Sequence, residues 1–315
     1  MKAVIINRFG PPEVLENTTI EKPVPDDNEV LIKIKFAGIN PVDTKVRAGI
    51  SGMSKNLVLP AILGWDVSGV IEKAGKNVTE FKAGDEVFGC IGFPGLGKAY
   101  AEFAVANPIL LEKKPSNVSF EVAAAVPLVG LTAYQAINEH LKITKGQRLL
   151  IQAAAGGVGH LAVQFAKLNG AFVAGTASKE NEGFLKSLGV DQFINYKEQK
   201  FEEVFENGDA VLDAMGGDIL YRSFLSVKNG GKVVCLPSST KNDPKAIELA
   251  RQKNVEMIWP MMHTDPSQMN IIARLLEQKK LSVKIDSIFM LDEIIEAHKA
   301  IESHRTDGKV IIQIG

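Results

Sequence analysis

A glycine-rich run set between a strand pattern and a helix pattern constrains this chain more than any other feature. RLLIQA (Arg148 to Ala153) is an apolar run of strand length. Ala153-Ala154-Ala155-Gly156-Gly157-Val158-Gly159 follows it. VGHLAVQFAKL then places Val158, Leu161, Ala162, Phe165 and Ala166 on one helical face. Strand, tight loop and helix in that order is the context a dinucleotide-binding turn requires. On the G-x-G-x-x-G template the run reads Ala154-x-Gly156-x-x-Gly159, with alanine for the first glycine. The middle glycine would let a pyrophosphate approach the backbone, and the last would let helix and strand pack closely. The helix N-terminus offers free N–H groups and partial positive charge. Ala155, Gly156, Gly157 and Val158 are therefore candidate phosphate contacts, against the plainer reading of a tight turn.

The rest of the chain divides around that unit. EVLIKIKFAGI (Glu29 to Ile39), GVIEKAG (Gly69 to Gly75) and AYAEFAVA (Ala99 to Ala106) alternate apolar and polar residues, as half-buried strands do. Near residue 120 the pattern changes to an Ala-rich helix interrupted by Pro127 and Gly130. Strands and helices then alternate: AFVAGTA, NEGFLKSLG, DQFINY, DAVLDAM and KVVCLP. Such alternation implies a parallel sheet with helices on both faces. The tail adds IIARLLEQKKL and DEIIEAHKAIESH as helices and KVIIQI as a last strand. The expected class is α/β: a β-rich domain over 1–122, a doubly wound parallel-sheet domain over 123–263, and a tail over 264–315 returning to the first domain.

Composition removes several function classes. In 315 residues, 36 Lys+Arg against 37 Asp+Glu give a net charge of −1, which gives no basis for nucleic-acid binding through phosphate neutralisation. No apolar run approaches the roughly 20 residues of a membrane-spanning helix. MKAVIINRFG reads as a strand and not as a secretory signal. Cys90 and Cys235 lie in separate apolar segments, as buried thiols of a cytoplasmic protein do. The five histidines show no metal spacing, and His160 reads as a helix-face residue.

Cofactor choice is read at the end of the second strand. NAD-binding turns usually carry Asp or Glu there to hold the ribose 2′-hydroxyl. Here Thr176-Ala177-Ser178-Lys179 stands instead, with Glu180 after it. A small residue, a hydroxyl and an ammonium suit a 2′-phosphate, so NADPH is expected over NADH. Met215-Gly216 and Leu236-Pro237 end later strands, the edge where ligands sit in open α/β sheets. Trp259, Met261 and Met262 are candidates for a substrate-lining cluster, against the plainer reading as core.

Over essentially its whole length the chain resembles the medium-chain dehydrogenase/reductase superfamily. More narrowly, it resembles the zinc-independent quinone oxidoreductases and the NADPH-dependent alkenal/one reductases. AGINPVDTKVRAG (Ala37 to Gly49), LGWDVSGVIEKAGKNV (Leu63 to Val78), FKAGDEVFG (Phe81 to Gly89), VPLVGLTAYQAI (Val126 to Ile137), AAAGGVGHLAVQFAK (Ala153 to Lys167), SLGVDQFINY (Ser187 to Tyr196) and DGKVII (Asp307 to Ile312) carry the resemblance. It implies a GroES-like β-rich catalytic domain built from both ends of the chain, an inserted Rossmann domain, NADPH in the cleft between them, and a homodimer. It also implies Thr132 near the nicotinamide, and Tyr196 beside Ser178 and Lys179 at the 2′-phosphate.

Zinc enzymes of the superfamily place ligands at positions matching Asn40, Trp65 and Leu128, and these side chains cannot form a catalytic zinc site. No metal is expected. The substrate must then already be electrophilic, as a quinone or an α,β-unsaturated carbonyl is. Asn40 and Lys45 are the candidate catalytic residues. The amide of Asn40 could donate to a developing oxyanion, and the ammonium of Lys45 could stabilise it or relay a proton. The plainer readings are a turn residue before Pro41 and a solvent-facing lysine. Asp43 is expected to orient the segment. The expected activity is NADPH-dependent quinone reduction. The alternatives are reduction of the C=C bond of enals and enones, or NADPH binding without catalysis.

Overall fold

Alternation in the first third of the sequence becomes a β-rich unit. The computed structural model describes residues 1–315 and divides into Met1–Leu131 with His263–Gly315, and Thr132–Met262. β1 (Lys2–Ile6) pairs antiparallel with β2 (Leu15–Thr19). β3 (Val30–Ile39) leads into the short helix α1 (Pro41–Arg47). β4 (Asp66–Ala74), β5 (Glu86–Cys90), β6 (Phe103–Ala106) and β7 (Leu111–Lys113) follow. Two expectations shift here. Residues Phe36–Ile39 of β3 are buried without alternation, because α2 (Phe120–Ala125) packs Phe120, Ala124 and Ala125 against Phe36 and Ile311. A Cβ at Gly38 would sit 2.6 Å from the Ala124 carbonyl oxygen, so glycine permits this approach. The strand expected over 99–106 begins only at Phe103, and Ala101 instead bridges Ala3 of β1. The boundary expected after residue 122 lies within α2, whose contacts belong to the first unit. α3 (Pro127–Tyr134) carries the chain onward.

The second unit is a parallel sheet. β8 (Arg148–Ile151), α4 (Gly159–Leu168), β9 (Phe172–Ala177), α5 (Glu182–Ser187), β10 (Gln192–Asn195) and α6 (Phe201–Val204) form its first half. β11 (Gly208–Asp213), α7 (Gly217–Ser226), β12 (Val227–Cys235), α8 (Pro244–Gln252) and β13 (Glu256–Ile258) form its second. The strand order is β10-β9-β8-β11-β12-β13, with every pairing parallel. Strand succession therefore reverses between β8 and β11, the switch point at which open α/β sheets bind ligands. Helices end where expected: Gly170 and Gly189 follow α4 and α5 at φ +77° and +91°.

The tail returns to the first unit. α9 (Pro266–Glu277) and α10 (Ile294–Glu302) flank β14 (Ile285–Met290), and β15 (Lys309–Gln313) closes the series. β15 lies between β14 and β3 in the order β14-β15-β3-β4-β5-β7. No helix is long and apolar enough to cross a membrane.

Candidate active site

In the second unit, the carboxyl ends of β8 to β12 bring most of the expected cofactor residues to one edge. All five strands are parallel, so the segments that follow them emerge together. Ala155 to Val158 follow β8, Ser178 and Lys179 follow β9, and Tyr196 follows β10. Met215 and Gly216 follow β11, and Leu236 and Pro237 follow β12. Asn195 pairs with Ala177, and the Tyr196 N–H donates to the Ala177 carbonyl at 3.3 Å. That register places Tyr196, 57% exposed, beside Ser178. Thr132 is half-buried on α3, at the start of this unit.

Local chemistry fixes the glycine loop. Ala153 takes φ +51°, uncommon for a residue with a side chain. Its N–H donates to Thr176 Oγ1 at 3.1 Å, that hydroxyl donates to Gln152 Oε1 at 2.8 Å, and the Ala154 N–H donates to the Thr176 carbonyl at 2.9 Å. A Cβ on Gly159 would lie 2.2 Å from the Ala153 carbonyl oxygen, so only glycine lets α4 start this close to the loop. Gly156 faces open space, with only the Ala153 carbonyl oxygen near its would-be Cβ, at 3.3 Å. His160 is buried and its Nδ1 lies 2.8 Å from the Gly156 carbonyl oxygen, so it braces the loop from the helix. Gln152 Nε2 is buried with no hydrogen-bond partner. An open glycine face, a spare buried donor and a β9 end carrying Ser178 with no carboxylate at Ala177 fit a phosphorylated dinucleotide.

The loop after β11 is clamped by a residue that sequence reasoning missed. Asp213 Oδ1 accepts the N–H groups of Met215 and Gly216, each at 2.7 Å, and Oδ2 accepts the Ser223 hydroxyl at 3.2 Å. Burial raises the Asp213 carboxyl above its usual range, and the two backbone N–H bonds oppose that rise. Its signal was an Asp two residues before Met215 and three before Gly216, the spacing of a side chain that closes its own turn. Trp259 packs against the core of this unit and donates to Thr240 Oγ1 at 3.1 Å, whereas Met261 is 64% exposed and Met262 buried.

In the first unit, sheet register builds a buried polar cluster. Val310 lies opposite Ile39, which puts Lys309 beside Asn40, and Gly38 lies opposite Asp66. Lys309 Nζ donates to the Ile39 carbonyl at 2.8 Å and to Asn40 Oδ1 at 2.5 Å, and lies 3.5 Å from Asp66 Oδ2. Asn40 Nδ2 donates to Asp66 Oδ2 at 2.9 Å, and the Leu128 N–H donates to Asp66 Oδ1 at 2.8 Å. Asp43 Oδ2 accepts the Asn40 N–H at 2.9 Å, and its Oδ1 accepts the Tyr100 hydroxyl at 2.8 Å. Burial raises Asp66 and lowers Lys309, and it pushes Asp43 up to about 7. Asn40 is thus wholly enclosed, with both ends of its amide engaged. Lys45, one turn further along α1, is half-buried and makes no side-chain hydrogen bond or ion pair.

These residues do not fit a catalytic zinc. Trp65 is buried and donates to the Gly95 carbonyl, Asn40 Oδ1 is taken by an ammonium, and Leu128 offers no donor atom. No group of three His, Cys, Asp or Glu side chains is arranged to hold a metal ion. Cys90 and Cys235 are buried free thiols, and burial pushes Cys235 up to about 11.

Comparison with known proteins agrees with this architecture. Residues 26–116 match the alcohol dehydrogenase GroES-like domain, and 188–312 match a zinc-binding dehydrogenase model. The quinone oxidoreductase of Coxiella burnetii is 38% identical, with a TM-score of 0.93 over 100% of this chain and 99% of that one. The chain belongs to the quinone oxidoreductases of the medium-chain dehydrogenase/reductase superfamily. An Escherichia coli quinone oxidoreductase complexed with NADPH superposes with a TM-score of 0.90 at 28% identity, over 99% of this chain and 100% of that one. The tomato (Solanum lycopersicum) 2-methylene-furan-3-one reductase is 34% identical over 99% of this chain and 79% of that protein. Within this family the GroES-like unit is the one drawn from both ends of the sequence, and the Rossmann unit is the insertion.

Proposed function

We propose that this quinone oxidoreductase reduces quinones with NADPH and without a catalytic metal. The shared carboxyl edge of β8 to β12, with Ala177 where NAD-specific turns carry an acid and Ser178 after it, carries this reading. When bound, NADPH supplies the hydride. Ala155, Gly156, Gly157 and Val158 would hold its pyrophosphate, and Ser178, Lys179 and Tyr196 its 2′-phosphate. Met215, Gly216, Leu236 and Pro237 would line the edge, and Thr132 would meet the nicotinamide end.

On the substrate side the two candidates divide the work. Lys45 is the half-buried cation without a partner, so it is the group available to stabilise a carbonyl oxygen that gains charge. Asn40 positions it: the amide, tied to Asp66 and Lys309, anchors the residue from which α1 starts. The Asp43 carboxylate closes that first turn onto the Asn40 N–H, which supports its expected orienting role. Lys45 also supports a second reading, reduction of the C=C bond of an enal or enone, where an ammonium would stabilise the enolate oxygen. The likeness to the tomato 2-methylene-furan-3-one reductase supports this second reading.

NADPH consumption with an ortho-quinone, a para-quinone and a short 2-alkenal, each repeated with NADH, tests these readings. Quinone turnover with NADPH alone is the expected result. Faster turnover of the alkenal would transfer the assignment to double-bond reduction. NADPH binding without turnover of any of the three would point to a binding protein. We further propose a cytoplasmic homodimer, which light scattering of the purified protein would test.

A further inference from the structure

The groups assigned to the 2′-phosphate already hold carboxylates of their own chain. Lys179 Nζ forms an ion pair with Glu182, whose other oxygen takes Lys186 Nζ at 2.7 Å. Ser178 accepts the Asn181 amide at 3.3 Å, and Glu180, two residues on, is held below its usual range first by the Ser178 hydroxyl, then by its own backbone N–H and by the charge of Lys197. The bonds from Lys179 and Lys186 bring Glu182 down to about 2. Local structure sets these partners. Ser178 is extended, Lys179–Asn181 form a tight turn, and α5 begins at Glu182. Glu182 therefore falls three residues after Lys179 and four before Lys186, the spacings at which side chains meet on a helix. The Lys179 side chain is 66% exposed, so the pair is open to exchange.

We propose that Glu180 and Glu182 compete with the cofactor's 2′-phosphate for Ser178 and Lys179, and that these two carboxylates set how strongly the chain prefers NADPH over NADH. The proposal rests on the placement of the 2′-phosphate at Ser178, Lys179 and Tyr196. A phosphate carrying nearly two negative charges outbids one carboxylate but must first displace it. NADH has a neutral 2′-hydroxyl where NADPH has the phosphate, so it brings no charge that would displace either carboxylate. An exposed ion pair such as Lys179–Glu182 corresponds to roughly two- to fivefold in affinity, less at high salt, and a hydroxyl bonded to a carboxylate to about as much.

Titration of NADPH and NADH by cofactor fluorescence, on the parent, Glu180→Gln, Glu182→Gln and the double variant, tests the competition. The double variant is expected to bind NADPH about tenfold more tightly and NADH unchanged. Unchanged NADPH affinity, or equal tightening of both cofactors, would overturn the proposal. Ser178→Ala and Lys179→Ala separate its failure from that of the placement beneath it. If these variants leave the NADPH-to-NADH ratio unaltered, the phosphate lies elsewhere and both readings fall. If they weaken NADPH alone while the Glu variants change nothing, the placement stands and the competition is refuted.

Discussion

Lys309 Nζ stands 2.5 Å from Asn40 Oδ1 and 3.5 Å from Asp66 Oδ2, and all three side chains are buried. The protein's own ammonium thus sits against Asn40 and beside the segment of Trp65 and Asp66, positions that the family resemblance matches to and next to zinc ligands. Three oxygens from two neighbouring strand ends satisfy it: the Ile39 carbonyl and the Asn40 amide at the end of β3, and the Asp66 carboxylate at the start of β4.

Lys309→Met is expected to destabilise the protein by about 3–5 kcal/mol, because it leaves Asp66 as an uncompensated buried charge. Adding Asp66→Asn should recover much of that loss, since the pair then disappears together. Urea unfolding of the two singles and the double measures the coupling. Additive losses would show that Asp66 is held by Asn40 and Leu128 alone.

Two buried groups act on stability with opposite signs of pH dependence. Asp43, raised from 3.8 to about 7, stabilises the fold fully below its ordinary value, and this is lost as pH rises through 7. His298 is lowered from 6.5 to about 3, by burial first and by the Arg47 guanidinium second. Its Nδ1 lies 3.3 Å from Arg47 Nη1, which assigns the ring proton to Nε2. Its contribution is complete above 6.5 and is lost as pH falls towards 3. Between pH 4 and 6.5 the slopes oppose, each about 1.4 kcal/mol per pH unit. Relative to the parent, Asp43→Asn should make stability rise with pH there, and His298→Gln should make it fall. Melting temperatures across that range decide; parallel curves for all three proteins would refute the assignment.

Gly159→Ala should displace the loop. Its Cβ would meet the Ala153 carbonyl oxygen at 2.2 Å and Ala154 Cα at 2.8 Å, both backbone atoms. The expected cost is about 1–3 kcal/mol of stability, with NADPH affinity lowered at least about tenfold. Unaltered NADPH binding would mean that the phosphates do not use this loop.

Thr176→Val removes the hydroxyl that receives the Ala153 N–H and donates to Gln152. About 1–3 kcal/mol should be lost, because both partners are left unsatisfied. Thr176→Ser should retain most of it. A loss no greater for Thr176→Val than for Thr176→Ser, which keeps the hydroxyl and lacks the methyl group, would show that these two bonds are not what holds the loop.

Lys45→Ala should lower kcat/KM for the preferred carbonyl substrate by about a hundredfold and leave NADPH affinity untouched. Stopped-flow turnover beside a cofactor titration separates the two. An unchanged kcat/KM on both quinone and alkenal would remove Lys45 from the reaction.

What the sequence made legible was whatever rests on local pattern. The loop at Gly156 to Gly159, the parallel series and the glycines closing α4 and α5 are set within a few residues of themselves. The polar cluster was not legible in the same way. Lys309 looks like an ordinary strand-edge lysine until the β15–β3 register lays it against Asn40. Asp66 and Tyr100 likewise acquire their roles from partners distant in sequence, Asn40 at the start of α1 and Asp43 within it. The failed alternation in Phe36–Ile39 has the same origin, since α2 covers a face that one strand alone would leave to solvent.

The placement of β15 between β14 and β3 also fixes an order of events at the ribosome. The Rossmann unit draws all six strands from one continuous stretch, Thr132–Met262, so it can close while later residues are still being made. The GroES-like unit cannot: its sheet waits for Lys309–Gln313 to reach a strand that ended at Ile39. Until then Phe36–Ile39 at the end of β3 stay unpaired on the side that β15 will take, the condition in which nascent chains associate wrongly. The end of β3 is thus the part of the early sheet that finds its partner last during synthesis.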